Sequence, residues 1–338
     1  MALGNICRGM AFFSWFLPSF TNLGYVARRG RWGEQRYNFD GQNWVVTGAS
    51  EGIGRQIALQ AAEAGATVYA IARSAERLDA LVSETASMPG VVISVPADLS
   101  VMTNVDDVVS QLQTHLSSAH VLVNNVGIMA DAHELTSEGH EKTFATNLLG
   151  PFRLVEQMLE RSLFQRDAAV INVSSGGMYN VPLTLGRLQG GKHFDGMLTY
   201  AYHKRAAVTL NSWWRTHGLN SYVMHPGWVA TPGVETSMPR FHQMLKPVLR
   251  DVAGGADTIL WLAAERPEQA TNAGIWFDRK LRPEHLLGGT TGGASAQELV
   301  DYLEQCLTSA DQTTVSDAAQ LTDQPADQQE PQPRRMSA

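Results

Sequence analysis

The sequence is poor in cysteine, in metal-binding patterns and in long hydrophobic runs. Its 338 residues include only Cys7 and Cys306, at opposite ends of the chain and without a Cys-x-x-Cys, which excludes a disulfide framework and a cysteine-built zinc site. The ten histidines form no His-Glu-x-x-His pattern, and no other metal signature is present. The formal charge of −7 argues against a protein that binds nucleic acid through a broad basic face. With 44% hydrophobic residues, the chain can instead build one sizeable globular core.

The two ends differ in composition from the middle. Residues 1–33 contain four arginines and no acid, and their apolar run Met10–Phe20 is shorter than the roughly 20 apolar residues of a membrane-spanning helix. For an arm over residues 1–38, two interpretations stay open: peripheral membrane contact through residues 10–20, or packing on the protein's own domain. Residues 309–338 are rich in Gln, Asp, Pro, Ser and Thr, lack aromatic residues, and are predicted to be disordered. Because no clear secretory signal is present, we expect a cytoplasmic protein with one domain over residues 39–308.

In the middle of the chain, short apolar runs alternate with amphipathic segments. This pattern predicts a doubly wound (Rossmann) α/β fold, with a mostly parallel sheet and helices on both faces. The first predicted strand, Asn43–Thr47, leads into Thr-Gly-Ala-Ser-Glu-Gly-Ile-Gly and then into the helical run Arg55–Ala64. In this loop we expect Gly48 to turn the chain, Gly52 to admit a pyrophosphate and Gly54 to let the helix approach closely. The N–H groups at the helix start suit phosphates, so the loop predicts a dinucleotide site that includes Ser50 and Ile53.

The next strand, Thr67–Ala72, ends where such folds select their cofactor. An acid at this point would bind the ribose 2′-OH of NAD, whereas an arginine suits the 2′-phosphate of NADP. Arg73 follows the strand and no acid is near, which predicts NADP(H) rather than NAD; a merely solvated Arg73 is the alternative. Arg55 could assist Arg73. Further cofactor contacts are expected where the following strands end; they are Asp98, Leu99 and Asn125.

A catalytic constellation follows the predicted strand Ala169–Val173. This strand runs into Ser174-Ser175, and a later helix carries Tyr200 and Lys204 four residues apart, on one face. A tyrosine acting as a base near pH 7 needs its pKa lowered by about 3 units, or about 4 kcal/mol. An ammonium at about 4 Å supplies roughly that energy at an effective dielectric near 20. The pattern therefore predicts proton transfer at a substrate oxygen during hydride transfer, with a serine hydroxyl bound to the same oxygen.

Together with Asn124-Asn-Val-Gly127, Asn147 and His225-Pro-Gly227, these motifs resemble the short-chain dehydrogenase/reductase family over about residues 42–277. The resemblance implies the following roles: Tyr200 as the acid/base, Lys204 orienting the nicotinamide ribose, Ser175 holding the substrate oxygen, Asn147 holding a water in a proton relay, and Pro226 and Gly227 contacting the cofactor. Ser174 stays open as the alternative serine. Assembly in this family often uses the helix of the Tyr–Lys pair and the helix before the Ser strand, which implies a homodimer or homotetramer.

Two further segments bear on the substrate. The stretch between Ser175 and Tyr200 is longer than is usual in the family, which predicts an inserted loop beside the site. Residues 228–250 correspond to the family's substrate lid, and their apolar side chains favour a hydrophobic carbonyl or alcohol substrate; a surface helix that only completes the core is the alternative. We therefore expect an NADP-dependent oxidoreductase. The second hypothesis is a catalytically weak NADP-binding regulatory or scaffold protein.

Overall fold

The computed structural model describes residues 18–33, 35–191, 194–268, 274–286 and 289–308. Its sheet has eight strands in the order β3-β2-β1-β4-β5-β6-β7-β8. Among the strands of the described ranges, β7 and β8 pair in antiparallel fashion and the other neighbours in parallel. The strands are β1 Asn43–Thr47, β2 Thr67–Ala72, β3 Val91–Pro96, β4 Ala119–Asn124, β5 Phe164–Val173, β6 Asn220–Met224, β7 Ile275–Phe277 and β8 Lys280–Arg282. The Rossmann-like α/β fold predicted from the sequence is confirmed.

Helices cover both faces of this sheet. They are α1 Asn22–Arg29, α2 Gly52–Glu63, α3 Ala75–Thr85, α4 Met102–His115, α5 Gly150–Glu160, α6 Gly196–Thr216, α7 Pro232–Ser237, α8 Pro239–Leu245, α9 Val252–Glu265 and α10 at residues 296–308. A short α-helical turn, Lys142–Phe144, and a π-helical segment, Ala145–Leu149, lead directly into α5. Three 3₁₀ turns complete the described helical structure; they are Gly176–Asn180, Leu185–Arg187 and Lys246–Val248.

The hydrophobic core has two layers because successive side chains of a strand point to opposite faces. In β1, Val45 packs with residues of α4, α5, α6 and α10, whereas Trp44 and Val46 pack with residues of α2, α3 and α9. Both faces of the strands are therefore buried, as expected for a parallel sheet between helical layers. This arrangement makes β1 and β4 neighbours at the centre of the sheet, and chain connections leave them in opposite directions.

The described part of the N-terminal arm packs on this domain. Phe20 and Tyr25 are buried, and the ring of Phe20 lies edge-on to Phe277 with ring centres 5.2 Å apart. Residues 10–17, which hold most of the membrane contact expected from the sequence, lie outside the described residues, as does the tail 309–338. Within the ranges described, no helix is long and apolar enough to cross a membrane. Peripheral membrane contact stays a prediction.

Candidate active site

A large cleft opens at the carboxyl ends of β1 and β4. Ligands of open α/β sheets bind at this point, where the strand order reverses. The cleft measures about 1560 Å³, more than the roughly 300–1,000 Å³ typical of a site for one small molecule. It extends from the glycine loop after β1 to Tyr200 on α6 and on to α7 and α8. The volume therefore suits a dinucleotide together with a second molecule.

The glycine loop is built as a tight turn held by a threonine. Gly48 has φ +67°, a left-handed conformation that favours glycine. The Thr47 hydroxyl donates to Val123 O and accepts the N–H groups of Asn125 and Val126, the last two at 3.0 Å. These bonds fasten the end of β1 to the end of β4. Sequence reasoning missed Thr47, although its place just before Gly48 could have indicated it.

The third glycine of the loop permits a close approach. A Cβ on Gly54 would overlap the carbonyl oxygen of Gly48. No side chain caps the N-terminus of α2, where Glu51 stands, so the first N–H groups of this helix stay available for an anion. This cradle fits the diphosphate of a dinucleotide. The residues of the loop that line the cleft are Gly48, Ser50, Glu51, Gly52 and Ile53.

The side chain of Asn125 is committed to the loop itself. Its Nδ2 donates to the carbonyl oxygens of Thr47 (2.9 Å) and Gly48 (3.3 Å), while the residue lines the cleft. Asp98 and Leu99 line the cleft as well; the Asp98 carboxylate accepts the N–H of Ser100 at 3.0 Å, and Leu99 is buried in the core. The sequence-predicted residues after β3 and β4 therefore meet at one edge of the sheet.

Two arginines lie where the cleft passes the end of β2. Arg73 is exposed and lines the cleft, and Arg77, one turn into α3, lines it too and pairs with Glu51. Arg55 points elsewhere, because it pairs with Glu84 on α3 and is not among the residues that line the cleft. Sequence reasoning missed Arg77, which lies in the first turn of α3, whereas Arg73 precedes the helix.

Tyr200, Lys204 and Ser175 converge in the cleft. Asp195 caps α6 by accepting the N–H of Leu198 at 3.0 Å, so the helix begins just before Tyr200. The Ser175 side chain is near enough to the Tyr200 hydroxyl to act on its pKa, and both residues line the cleft. The Lys204 ammonium lies 5.4 Å from the centre of the Tyr200 ring and donates to Val173 O at 2.7 Å. The spacing of four residues thus places both side chains in one site, as the sequence predicted.

The two serines at the end of β5 differ in their surroundings. Ser174 is buried, and its hydroxyl donates to the carbonyl oxygen of Lys204 at 2.9 Å. The Ser175 side chain acts on the pKa of Tyr200. Both serines line the cleft, so Ser175 as the serine that holds the substrate oxygen stays a prediction.

The electrostatics of this group differ from the expectation. Burial raises the pKa of Tyr200 to about 12, with a smaller opposing effect from the Ser175 hydrogen bond. Burial also lowers the pKa of Lys204 to about 8. The expected lowering of the tyrosine pKa by the lysine is therefore wrong for the protein groups alone, because loss of hydration outweighs an ammonium placed over the ring rather than at the oxygen. At pH 7 these values correspond to a neutral phenol beside a mostly protonated lysine.

Asn147 is held in the π-helical segment before α5. Its side chain exchanges two hydrogen bonds with the backbone of Ile128, both of 2.7 Å. Its Nδ2 also lies 3.4 Å from Nδ1 of His203, a buried histidine whose Nε2 contacts Leu188 O. Asn147 thus anchors the segment after β4, next to the wall that Lys204 and Gly127 form. A π-helical turn inside an α-helix often marks a functional site.

The far end of the cleft is apolar. The predicted lid forms α7 and α8, from which Met238 and Phe241 line the cleft, whereas Met244 is exposed and Leu245 is buried. The longer segment after Ser175 borders the same space through residues 180–182, and residues 192–193 of it lie outside the described ranges. Pro226 and Gly227 line the cleft between Tyr200 and the lid. Other apolar side chains on this end are Met129, Met197, Leu198 and Trp228.

Comparison with known proteins agrees with this geometry. The family model described as short chain dehydrogenase matches residues 42–239. Dehydrogenase/reductase SDR family member 12 of Bos taurus is 37% identical over 310 residues, covering 88% of this chain and 97% of that protein. The 3-oxoacyl-[acyl-carrier-protein] reductase FabG of Thermotoga maritima is 30% identical over 257 residues, 72% of this chain and 98% of the relative.

A solved structure adds a nucleotide-bound relative. The angucycline C-6 ketoreductase LanV with bound NADP has 26% sequence identity and a TM-score of 0.55, and the match covers 70% of this chain and 93% of that one. The fold, the family match and the cleft therefore lead to one assignment: this chain is an oxidoreductase of the short-chain dehydrogenase/reductase family.

Proposed function

We propose that the chain transfers a hydride between NADP(H) and a hydrophobic carbonyl or alcohol, with Tyr200 as the acid/base. The observation that carries the proposal is the convergence of Tyr200, Ser175 and Lys204 in one cleft, with the Lys204 ammonium 5.4 Å from the centre of the Tyr200 ring. All three groups line the cleft that begins at the glycine loop. Reduction of a C=O group needs a hydride at the carbon and a proton at the oxygen. In this arrangement Tyr200 supplies the proton to the oxygen.

In the reductive direction, the nucleotide supplies the hydride when bound. The Ser175 hydroxyl donates to the carbonyl oxygen and orients it. Tyr200, protonated at neutral pH because of its pKa of about 12, donates its proton to the oxygen as negative charge develops there. The Lys204 ammonium stabilises the resulting phenolate. Burial keeps the phenol neutral, so its proton is available for donation to the substrate oxygen.

The preference for NADP(H) is supported by Arg73 and Arg77. Two guanidinium groups at the end of β2, with Glu51 already paired to one of them, suit a 2′-phosphate better than a free hydroxyl. We expect Arg73→Ala to weaken NADP⁺ binding by roughly tenfold or more while leaving NAD⁺ binding unchanged, as measured by calorimetry. Arg55→Ala is the matched control, since it removes a nearby arginine paired away from the cleft. Tighter binding of NAD⁺ than of NADP⁺ by the wild type would overturn the cofactor assignment.

A hydrophobic substrate is supported by the apolar end of the cleft, where Trp228, Met238 and Phe241 lie beyond Tyr200. Retinol dehydrogenase 11 of Homo sapiens is 30% identical over 199 residues, 57% of this chain and 63% of that protein. A panel of retinoid, steroid, quinone and aliphatic carbonyls, assayed by NADPH oxidation, tests the substrate class. We expect larger apolar members to have the lower KM.

The deciding experiment compares two tyrosines of α6. Tyr200→Phe removes the proposed acid and should reduce turnover by roughly 100-fold or more, with NADPH affinity retained. Tyr202→Phe removes a second hydroxyl that lines the same cleft and should preserve most of the turnover. Undiminished turnover of Tyr200→Phe would overturn the assigned role. NADPH binding by the wild type without turnover on any carbonyl would favour the regulatory or scaffold hypothesis.

A further inference from the structure

We propose that the N-terminal arm is a working part of the cofactor site, with Arg250 as the positioning residue that joins the arm to the Pro226–Trp228 loop. The inference rests on the proposed binding of NADP(H) in the cleft, because Pro226, Gly227 and Trp228 form part of its wall. It assigns a role to residues 18–28, which precede the first strand of the fold.

Arg250 holds the loop through its own backbone. Its N–H donates to Trp228 O and its carbonyl accepts the N–H of Ala230, both at 2.8 Å. Its side chain, at 1% exposure, lies directly against Gly227, where a Cβ would overlap the guanidinium. Gly227 has φ +79°. Any side chain beyond glycine at position 227 would therefore collide with the Arg250 guanidinium and the Phe20 carbonyl.

The arm closes the arrangement from the other side. The carbonyl oxygen of Phe20 accepts two hydrogen bonds of 2.9 Å, one from the Trp228 N–H of the loop and one from Nε of Arg250. Nη2 of Arg250 donates to Ser19 O at 3.1 Å. Two consecutive carbonyls of the arm are thus bound by one guanidinium that also supports the cofactor loop.

A buried carboxylate ties both arginines together. Asp278, between β7 and β8, accepts Nη1 and Nη2 of Arg250 at 2.6 and 3.0 Å, and it accepts Nε of Arg28 on α1 at 2.6 Å. Arg28 is partly exposed, whereas Arg250 and Asp278 are not. A buried ion pair loses its compensation when one partner moves, so displacement of the arm disturbs the charge balance beside Gly227.

Aromatic rings complete the contact. The His225 ring stacks on Phe277 with centres 4.4 Å apart and lies edge-on to Phe20 at 4.4 Å. Its Nδ1 accepts the N–H of Gly227 at 3.0 Å, and burial lowers the pKa of His225 well below its usual value, so the ring stays neutral and able to accept. Gly227 is held from two sides, by His225 and by Arg250.

Docking of the arm and binding of the nucleotide are therefore linked. An interaction that stabilises the observed path of the Pro226–Trp228 loop favours docking of the arm and also binding of the nucleotide. By thermodynamic linkage, arm docking strengthens nucleotide binding by the same factor by which the nucleotide strengthens arm docking. NADP⁺ should protect residues 18–33 from hydrogen exchange, and loosening the arm should weaken NADP⁺ binding.

The test uses the full chain and three variants. Arg28→Gln detaches the arm from Asp278 without touching the loop, and Arg250→Lys keeps the charge but removes the forked contact. Each should raise the Kd for NADP⁺ by roughly 5- to 20-fold and reduce the NADP⁺-dependent protection of residues 18–33. Arg266→Gln is the matched control: it breaks an ion pair with Asp167 (2.6 Å) at an arginine about as exposed as Arg28, outside both the arm and the loop. This control should lower thermal stability and leave the Kd unchanged.

The outcomes separate the two proposals. If the wild type binds NADP⁺ and Arg28→Gln binds it with the same Kd, the proposed role of the arm is overturned and the proposed function still stands. An equal rise of Kd in Arg266→Gln also overturns it, because the effect would then be general destabilisation. Absence of NADP⁺ binding by the wild type overturns the cofactor assignment. If Arg250→Lys does not fold, Arg28→Gln decides alone, since Arg28 is partly exposed.

Discussion

At the scale of single residues, adjacent positions in the sequence make unrelated contacts. Ser174 and Ser175 follow each other at the end of β5 and both line the cleft. The Ser174 hydroxyl donates to the backbone of α6 at Lys204, whereas the Ser175 side chain acts on the pKa of Tyr200. Ser174 thereby fastens the helix that carries the tyrosine, while Ser175 stands beside its hydroxyl.

This difference predicts opposite phenotypes for two alanine variants. Ser175→Ala should reduce kcat/KM by roughly 100-fold, since one donor to the developing oxyanion is lost, with the free energy of unfolding unchanged. Ser174→Ala should keep most of the activity and lower the free energy of unfolding by about 1 kcal/mol, the usual net contribution of a hydrogen bond. Steady-state kinetics and urea denaturation measure both. Greater loss of turnover in Ser174→Ala would contradict the assignment.

At the scale of elements, the loop between β1 and α2 depends on backbone contact rather than side-chain contact. Gly54 packs against the backbone of Gly48, and the Asn125 amide bonds both the loop and the end of β1. The apolar side chains of the lid lie in two environments: Phe241 lines the cleft, whereas Met244 is exposed to solvent.

Gly54→Ala should therefore distort the loop and weaken NADP(H) binding by at least roughly tenfold, with a loss of stability of about 1–3 kcal/mol from overpacking. Gly186→Ala is the control, because a Cβ at Gly186 meets no atom within 4 Å. Calorimetry and thermal denaturation report the two quantities. Normal nucleotide affinity in Gly54→Ala would show that the loop adapts and that the close packing is not needed.

At the scale of the whole molecule, helix α10 covers part of the surface expected to form subunit contacts. Its Leu299, Val300 and Leu303 are buried in the same core as side chains of α5 and α6. The ring of Tyr302 lies 6.1 Å from that of Phe144, just before α5. The homodimer or homotetramer stays a prediction, but α10 restricts which helices could form it.

We therefore expect the chain not to associate through α5 and α6 while α10 is in place. Leu299→Ala with Leu303→Ala should loosen α10, lower the melting temperature and cause concentration-dependent self-association, measured by light scattering against the 36.9 kDa of one chain. Leu286→Ala, at an exposed leucine, should change neither the melting temperature nor the self-association. A wild-type dimer that dissociates in the double variant would instead place α10 inside the interface.

The parts predictable from the sequence are those with local causes. Short apolar runs and a glycine-rich turn located β1 and β2 with the bounds observed, Asn43–Thr47 and Thr67–Ala72. The helical period placed Tyr200 and Lys204 on one face. By contrast, β7 and β8 have three residues each, too few for a periodic signal.

By itself, then, the sequence determined β1, β2, the glycine loop and the Tyr–Lys pair, because apolar runs, helical spacing and glycine conformation act within a few residues. Only the tertiary structure decided that burial raises rather than lowers the pKa of Tyr200, and that Arg250 meets Asp278 and the arm. These depend on hydration and on contacts between segments distant in the sequence, as with Arg250 and Phe20, 230 residues apart. No local pattern of side chains encodes such contacts.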